Sequence, residues 1–154
     1  MNIAEQLLRH STLFQGANDA IMAALLERAA TVHFAASEVP IAESTVTDQI
    51  LMIVEGELRL EVALQDVDRD VKLLRAGPGT FLGLVNFFGI AAQPCSAIAL
   101  THVTALTWKA EEWRQLCEAN PAFGYQLSQR IGHELVERMS HWINNLLNTV
   151  SWVM

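Results

Sequence analysis

The period of the hydrophobic pattern changes twice along this chain, and that change constrains the fold more than any other feature. Between about residues 31 and 109, short apolar segments alternate with polar residues and are separated by turn residues. The segment 57–62, for example, reads Glu-Leu-Arg-Leu-Glu-Val, so that every second residue is apolar. Alternation of this kind is typical of half-exposed strands. Many such strands at regular spacing predict a β-barrel or sandwich-like core.

Helical spacing is found on both sides of this β-rich region. Residues 1–30 read as two helices joined at 15–17, and Asn18 supplies the capping side chain that begins the second helix. Residues 111–149 are helical again, with a break at Asn120-Pro121 that separates a short helix from a long one. We therefore expect helices, then strands, then helices.

The long C-terminal helix carries one continuous apolar stripe whose members step by three or four residues. They are Leu127, Ile131, Leu135, Met139, Trp142 and Leu146. A stripe of about five turns extends roughly 30 Å at 1.5 Å per residue, which is more than one small roll covers. We therefore expect the protein to be a homodimer, with this stripe as the dimer seam.

Composition excludes two broad classes of protein. The 154 residues are 51% hydrophobic and 18% charged, which excludes an intrinsically disordered chain and fits one domain over 1–154. Ten Lys and Arg against seventeen Asp and Glu give a formal charge of −7, and the sequence contains no run of basic residues. Because proteins that grip nucleic acid draw affinity from clustered Lys and Arg, direct nucleic-acid binding is not expected.

Cysteines and histidines give no sign of a metal site. Cys95 and Cys117 are too few for a disulfide framework or a four-thiolate cluster. His133 and His141 are about 12 Å apart along one helix and cannot share a metal within a chain. The N-terminus lacks the pattern of a secretory signal, and the longest aliphatic run, 50–54, is too short to cross a bilayer. We expect a reduced, soluble, cytoplasmic protein with no membrane partner.

Three motifs near the predicted turns carry a family resemblance. Residues 43–58 read ESTVTDQILMIVEGEL, residues 77–83 read GPGTFLG, and residues 94–97 read PCSA. Together they resemble the motifs of the cyclic nucleotide-binding domain, most closely those in the sensor half of the CRP/FNR regulators. The resemblance covers almost the whole chain. It implies an α+β fold, in which a mainly antiparallel β-roll (a double-stranded β-helix or jelly roll) lies between N-terminal helices and a long C-terminal helix.

The same resemblance locates a ligand cassette. In the family, a short helix between two roll strands holds the cyclic phosphate on backbone N–H groups, a Glu binds the ribose hydroxyl, and an Arg pairs with the phosphate. The matching stretch is 81–97, where the Glu position is Leu84 and the Arg position is Cys95. The resemblance thus implies a remnant cassette formed by Gly83, Leu84, Val85, Cys95, Ser96 and Ala97. Both charged contacts are missing.

The residues next to the cassette in the sequence include no cation that could replace the missing Arg as the partner of the phosphate. Phe87, Phe88 and Ile90 are expected to form an apolar wall, against which an unpaired phosphate is costly to bury. The base-reading positions of the family align near Glu134, Arg138 and Met139 and do not reproduce its polar strip. Cyclic AMP and cyclic GMP are therefore not expected to bind, although the N–H groups of 83–85 leave room for a smaller anion. No histidine lies in a motif that selects haem, so no cofactor is predicted.

Cys95 has two interpretations. As a reactive thiol at the mouth of a pocket, it would report oxidation or nitrosation. As a small hydrophobe, it would fill the space of the absent Arg. No cation nearby in sequence lowers its pKa, which favours the second interpretation.

The sequence contains no catalytic triad, phosphate loop or carboxylate pair in a recognisable motif. We therefore expect a non-enzymatic regulatory, sensor or interaction module with a small-molecule or protein partner. The alternative is the effector-sensing and dimerisation domain of a CRP/FNR-type transcription regulator whose DNA-binding domain is absent from this chain. The tail that follows the long helix does not read as the usual hinge into such a domain.

Overall fold

The computed structural model of the protein describes residues 2–63, 70–89 and 92–153. The N-terminal helices are α1 (Ile3–His10) and α2 (Asp19–Arg28), with a 3-10 turn at Thr12–Phe14. The strands are β1 (Ala30–Phe34), β2 (Gln49–Glu55), β3 (Leu58–Ala63), β4 (Asp70–Ala76), β5 (Phe81–Leu82), β6 (Ser96–Ala99) and β7 (Val103–Lys109). A 3-10 helix at Leu84–Phe88 precedes β6, and the chain continues into α3 (Ala110–Ala119) and α4 (Pro121–Val153). The predicted α+β roll between helices is confirmed.

The strands form two antiparallel sheets. Within the described residues, the order is β1-β7-β2-β5 in one sheet and β4-β3-β6 in the other. Residues 50–53 of β2 are all buried, because both faces of this strand pack against hydrophobic side chains. In β3 the buried Leu58 and Leu60 alternate with partly exposed Arg59 and Glu61, as the sequence pattern predicts.

Buried side chains divide into two hydrophobic clusters. The helix-side cluster lies between the helices and the first sheet and includes Leu8, Phe14, Leu25, Ile50, Leu84, Phe87, Trp108, Trp113, Leu127 and Ile131. The roll cluster lies between the sheets and includes Ile41, Leu51, Ile53, Leu58, Leu60, Leu82, Cys95, Ala97 and Val103. Neighbouring residues of β2 point alternately into the two clusters, so this strand joins them.

Two local signals position the helices. The Asn18 side chain accepts a hydrogen bond from the backbone N–H of Ile21 at 2.9 Å, which is the cap that the sequence predicts. Where α3 meets α4, Asn120 N–H donates to the carbonyl of Cys117 at 3.1 Å, and Pro121 occupies the first position of α4. A Cβ on Gly124 would lie 2.7 Å from Cys117 Cβ, so only glycine permits this close crossing of the helices.

The apolar stripe of α4 is not a uniform outward surface. Leu127 and Ile131 are fully buried in the helix-side cluster, so they are core residues of their own chain and not seam residues as expected. Leu135 packs against the same cluster, whereas Trp142 and Leu146 pack against the roll cluster. Of the six predicted seam residues, Met139 is the one with a largely exposed side chain.

A neighbouring stripe of α4 faces outward instead. It consists of Val136, Met139, Ile143 and Leu147, whose side chains are 46–61% exposed. These residues again step by three or four, one helix position later than most of the predicted seam. We call them the outward stripe.

In the part of the chain that the structure describes, no helix combines the length and apolarity needed to cross a membrane.

Substitution of Gly56, which lies at the turn between β2 and β3, tests the placement of the roll. Its φ is +94°, and a Cβ there would lie 2.2 Å from the carbonyl oxygen of His102. The variant Gly56→Val should therefore lose about 1–3 kcal/mol of unfolding free energy from backbone strain alone, and more from the clash. Urea unfolding measures the change. Gly132→Ala is the control, because a Cβ at that position meets no atom within 4 Å apart from the backbone of its own helix; it should be neutral or stabilising by up to about 1 kcal/mol. Equal midpoints for Gly56→Val and wild type would contradict the turn geometry.

Candidate functional site

A cavity of about 270 Å³ lies between the roll, the 3-10 helix and α4. Its lining residues come from four parts of the chain that are distant in sequence. They are Ile41, Leu60, Leu82, Gly83, Leu84, Val85, Gln93, Pro94, Cys95, Ala97, Leu135, Arg138, Met139 and Trp142. The structure thus brings together five of the six predicted cassette residues and three residues of the predicted helix stripe. Ser96 is not among the lining residues.

The cassette begins at a glycine that the backbone requires. Gly83 has a φ of +78°, and a Cβ on it would lie 2.3 Å from the carbonyl oxygen of Gln49. This left-handed residue turns the chain out of β5 and starts the 3-10 helix, whose first hydrogen bond runs from Asn86 N–H to the Gly83 carbonyl at 3.0 Å. Any side chain here would push the cassette away from β2.

A buried polar network fixes the cassette to the roll. Asn86 Nδ2 donates to the Gln49 carbonyl at 2.9 Å, and Gln93 Nε2 donates to Asn86 Oδ1 at 3.2 Å. On the helical side, Arg114 donates to the Asn86 carbonyl at 2.9 Å while its guanidinium pairs with Glu111 at 2.8 Å. Sequence reasoning missed Asn86 and Gln93. Their only sequence signal is that they are polar residues inside an otherwise apolar segment.

The two positions that the family resemblance assigns to charged ligand contacts are both buried and apolar. Leu84 is 1% exposed and packs in the helix-side cluster, and Cys95 is 7% exposed in the roll cluster. Burial raises the pKa of the Cys95 thiol to about 11, although the charge of Arg138 lowers it and that of Glu43 raises it. At neutral pH this thiol is protonated, which matches the interpretation of Cys95 as a small hydrophobe.

Ser96 and Ala97 hold in place the rim of the cavity that the loop before β2 forms. The Ser96 hydroxyl accepts a hydrogen bond from the Glu43 N–H at 2.9 Å, and Ala97 N–H donates to the Ile41 carbonyl at 2.8 Å. These bonds dock the loop before β2 onto β6. Ser96 is therefore a positioning residue for the rim.

The expected apolar wall is formed by other residues. Phe87 is buried in the helix-side cluster, and Phe88 is 58% exposed, so neither lines the cavity. Ile90 lies outside the described residues. The apolar lining instead comes from the roll strands and from α4.

Arg138 corrects the expectation that the cassette has no cation near it. This residue lies on the cavity wall contributed by α4, and its side chain is only 14% exposed. Its Nε donates to Glu134 Oε1 at 3.0 Å. Its charge also reaches Cys95, since it lowers the pKa of that thiol. The family resemblance aligns Arg138 with the base-reading positions, but its proximity to Cys95 depends on where α4 crosses the roll and no local pattern in the sequence indicates it.

Trp142 lies one turn beyond Arg138 and also lines the cavity. Its indole Nε1 atom is buried and has no hydrogen-bond partner in the described part of the chain. Buried indole N–H groups ordinarily have an acceptor. The cavity wall of α4 therefore carries one cation and one unpaired donor.

The histidines and acidic residues are placed elsewhere. No histidine lines the cavity. His33 and His102 stack with ring centroids 5.5 Å apart, and His133 pairs with Glu137 at 3.0 Å. Among the described residues, no group of three or more His, Cys, Asp or Glu side chains is arranged to hold a metal ion.

Comparison with known proteins decides the family. A family profile described as "Cyclic nucleotide-binding domain" matches residues 31–120, which include β1 from its second residue, β2 to β7, the cassette and α3. The chain belongs to the cyclic nucleotide-binding domain family. The resemblance drawn from the three sequence motifs is thereby confirmed.

Individual relatives are regulators or binding domains. The CRP-like cAMP-activated global transcriptional regulator of Mycobacterium tuberculosis is 23% identical over 146 residues, a match that covers 95% of this chain and 63% of the regulator. The chain thus spans less than two thirds of the length of that relative. The N-terminal domain of a transcriptional regulator from Streptomyces coelicolor has a TM-score of 0.74 at 22% identity, covering 87% of this chain and 93% of the other. A cyclic nucleotide-binding domain from Methylobacillus flagellatus has a TM-score of 0.79 at 15% identity, covering 95% and 82%. Both structures share the fold.

The reactivity of Cys95 tests the geometry of the cassette. Because the folded state favours the neutral thiol, iodoacetamide should label Cys95 slowly at pH 7–8 and faster only as the pH approaches about 11. The same preference stabilises the fold below the ordinary thiol pKa of 9.0, and this stabilisation is lost as the pH rises toward 11. Peptide mapping by mass spectrometry measures the labelling. Half-buried Cys117 is the internal comparison and should react first. Rapid labelling of Cys95 at pH 7 would contradict its burial.

Proposed function

We propose that this protein is a non-enzymatic regulatory module that binds a small molecule in the cavity without the charged contacts used for cyclic nucleotides. One observation carries the proposal: the family's Glu and Arg positions hold Leu84 and Cys95, both buried in apolar clusters. The relatives identified above are regulators and binding domains, which supports a regulatory role over an enzymatic one.

The loss of both contacts weakens cyclic-nucleotide binding strongly. A charge-assisted hydrogen bond contributes about 1.5–3 kcal/mol, and a bidentate Arg–phosphate pair contributes more. Since about 1.4 kcal/mol corresponds to a factor of ten, losing both contacts costs two to four orders of magnitude in affinity. Arg138 does not replace them. It enters from α4, the side on which the family binds the base, whereas the family's phosphate-binding Arg stands in the cassette at position 95.

The outward stripe of α4 supports a homodimer. Val136, Met139, Ile143 and Leu147 present one contiguous exposed apolar row on a helix of 33 residues. Rows of this kind at spacings of three and four are typical of paired helices. We propose that two copies pair through this row, which replaces Leu127 and Ile131 as the centre of the seam.

A second candidate function is the effector-sensing domain of a CRP-type transcription regulator. The match to the mycobacterial regulator favours it. In this role the module itself would still not contact nucleic acid, since its formal charge is −7. DNA binding would require a separate segment of the same polypeptide. The open reading frame of the full gene distinguishes the two candidates.

Cyclic nucleotides provide the first test. Wild-type protein should bind cyclic AMP and cyclic GMP no tighter than high micromolar in isothermal titration, because the phosphate has no partner at position 95 and the ribose none at position 84. The double variant with Leu84→Glu and Cys95→Arg should regain part of the affinity. The single variant Cys95→Arg is the control, since it restores one contact of two. Sub-micromolar binding by the wild type would overturn the proposal.

The oligomeric state provides the second test. Val136→Asp places a charge in the middle of the outward stripe, where it would be buried unpaired in a dimer. We expect wild type to sediment as a dimer at micromolar concentration and Val136→Asp to sediment as a monomer of 17.1 kDa. Asn144→Asp adds the same charge at an exposed position of α4 outside the stripe and should leave the dimer intact. A monomeric wild type, or equal dissociation by both variants, would exclude this seam.

A further inference from the structure

The lining of the cavity defines the chemical class of its ligand. We infer that the cavity binds a small monocarboxylate with an apolar body, whose carboxylate is held by Arg138 and whose body fills the space against the roll. The inference rests on the proposed function, since it names the class of molecule that the module would sense.

The walls select an apolar body. Most lining side chains are aliphatic or aromatic, and they approach from the roll strands and α4 alike. Asn86 Nδ2 donates to the Gln49 carbonyl and Gln93 Nε2 donates to Asn86 Oδ1, so each of these amide groups already has a partner within the protein. A volume of about 270 Å³ lies just below the range of about 300–1,000 Å³ for small-molecule sites. The body must therefore be small, and its contacts must be mainly hydrophobic.

One end of the ligand must be anionic. Among the described residues that line the cavity, Arg138 alone carries a charge. A guanidinium has five N–H donors, and Glu134 uses the one on Nε. No described residue accepts a hydrogen bond from the Nη atoms of Arg138. These are the donors that pair side by side with a carboxylate.

A single negative charge suits the cavity better than two. The Arg138 guanidinium is already paired with Glu134, and Glu43 lies near enough to Cys95 to raise the pKa of its thiol. A phosphate dianion would therefore meet two carboxylates and one shared cation. The Cys95 thiol is neutral at pH 7 and adds no competing charge.

Trp142 supplies a second, independent indication. Residues 138 and 142 are four positions apart on α4, so their side chains share one face of the helix. The Trp142 indole N–H is buried without an acceptor. A carboxylate has two oxygens, so one that accepts from Arg138 leaves the other available to an unpaired donor on the same face of α4. A ligand of this class would use the free guanidinium edge and give the indole N–H an acceptor.

The experiment compares an acid with its neutral amide. Octanoate and octanamide have the same apolar body and differ in charge, and isothermal titration measures both against the full chain. Wild type should bind octanoate at least about ten-fold more tightly than octanamide. Arg138→Met should remove most of this preference by weakening octanoate about ten-fold or more, while octanamide, which forms no ion pair, weakens much less.

Two further variants separate recognition from folding. Glu134→Gln removes the competing carboxylate from Arg138 and should tighten octanoate binding several-fold, a gain that no folding defect produces. Trp142→Phe keeps the aromatic ring but removes the N–H, and it should weaken octanoate more than octanamide. Thermal unfolding of each variant verifies that it is folded.

Three results would overturn the inference: equal binding of octanoate and octanamide, unchanged octanoate binding in Arg138→Met, or no octanoate binding at millimolar concentration. Failure of the ligand class and failure of the proposed function are distinguishable. Equal binding of acid and amide leaves the cavity a small-molecule site of another class. Tight binding of cyclic AMP by the wild type removes the proposed function itself.

Discussion

The inward face of α4 closes both halves of the hydrophobic core, and the other features of this protein depend on that contact. Leu127 and Ile131 complete the helix-side cluster, and Trp142 and Leu146 cover the roll cluster. The helix crosses the gap between the two clusters at Leu135 to Met139. The cavity lies at this gap, so its wall of α4 residues is fixed by the same packing that completes the core.

Much of the architecture is predictable because it is encoded locally. The change from helical to alternating spacing places the roll, and Asn18 places the start of α2. The sequence of α4 does not show locally which face of the helix packs inward. Leu135 and Val136 are both apolar and adjacent in sequence, and both belong to rows with helical spacing. Only the position of the roll against the helix decides that the first is partly buried and the second exposed.

The candidate site divides in the same way. Its cassette half is predictable, because Gly83, Leu84 and Cys95 fall within motifs that resemble those of the family. Its other half is predictable only through the alignment of Arg138 with the family's base-reading positions, because α4 is distant in sequence and no local pattern brings it to the cassette. The buried Asn86–Gln93 pair was missed for a related reason. Each residue alone reads as a polar interruption of an apolar segment, and its role follows from a partner that the chain brings near only on folding.

Trp108 Nε1 donates a hydrogen bond to the Leu25 carbonyl at 2.9 Å and so connects β7 to α2. The segment that folds as one cooperative unit is therefore longer than the segment that the family profile matches. The family profile begins at residue 31, whereas Leu25 and other residues of the preceding helices belong to the same cluster as the strands. A polypeptide starting at residue 31 would present that face of the roll to water and leave a tryptophan donor without its acceptor. Limited proteolysis of the native protein would accordingly yield a resistant fragment that retains α1 and α2. This fragment would be longer than the segment matched by the family profile.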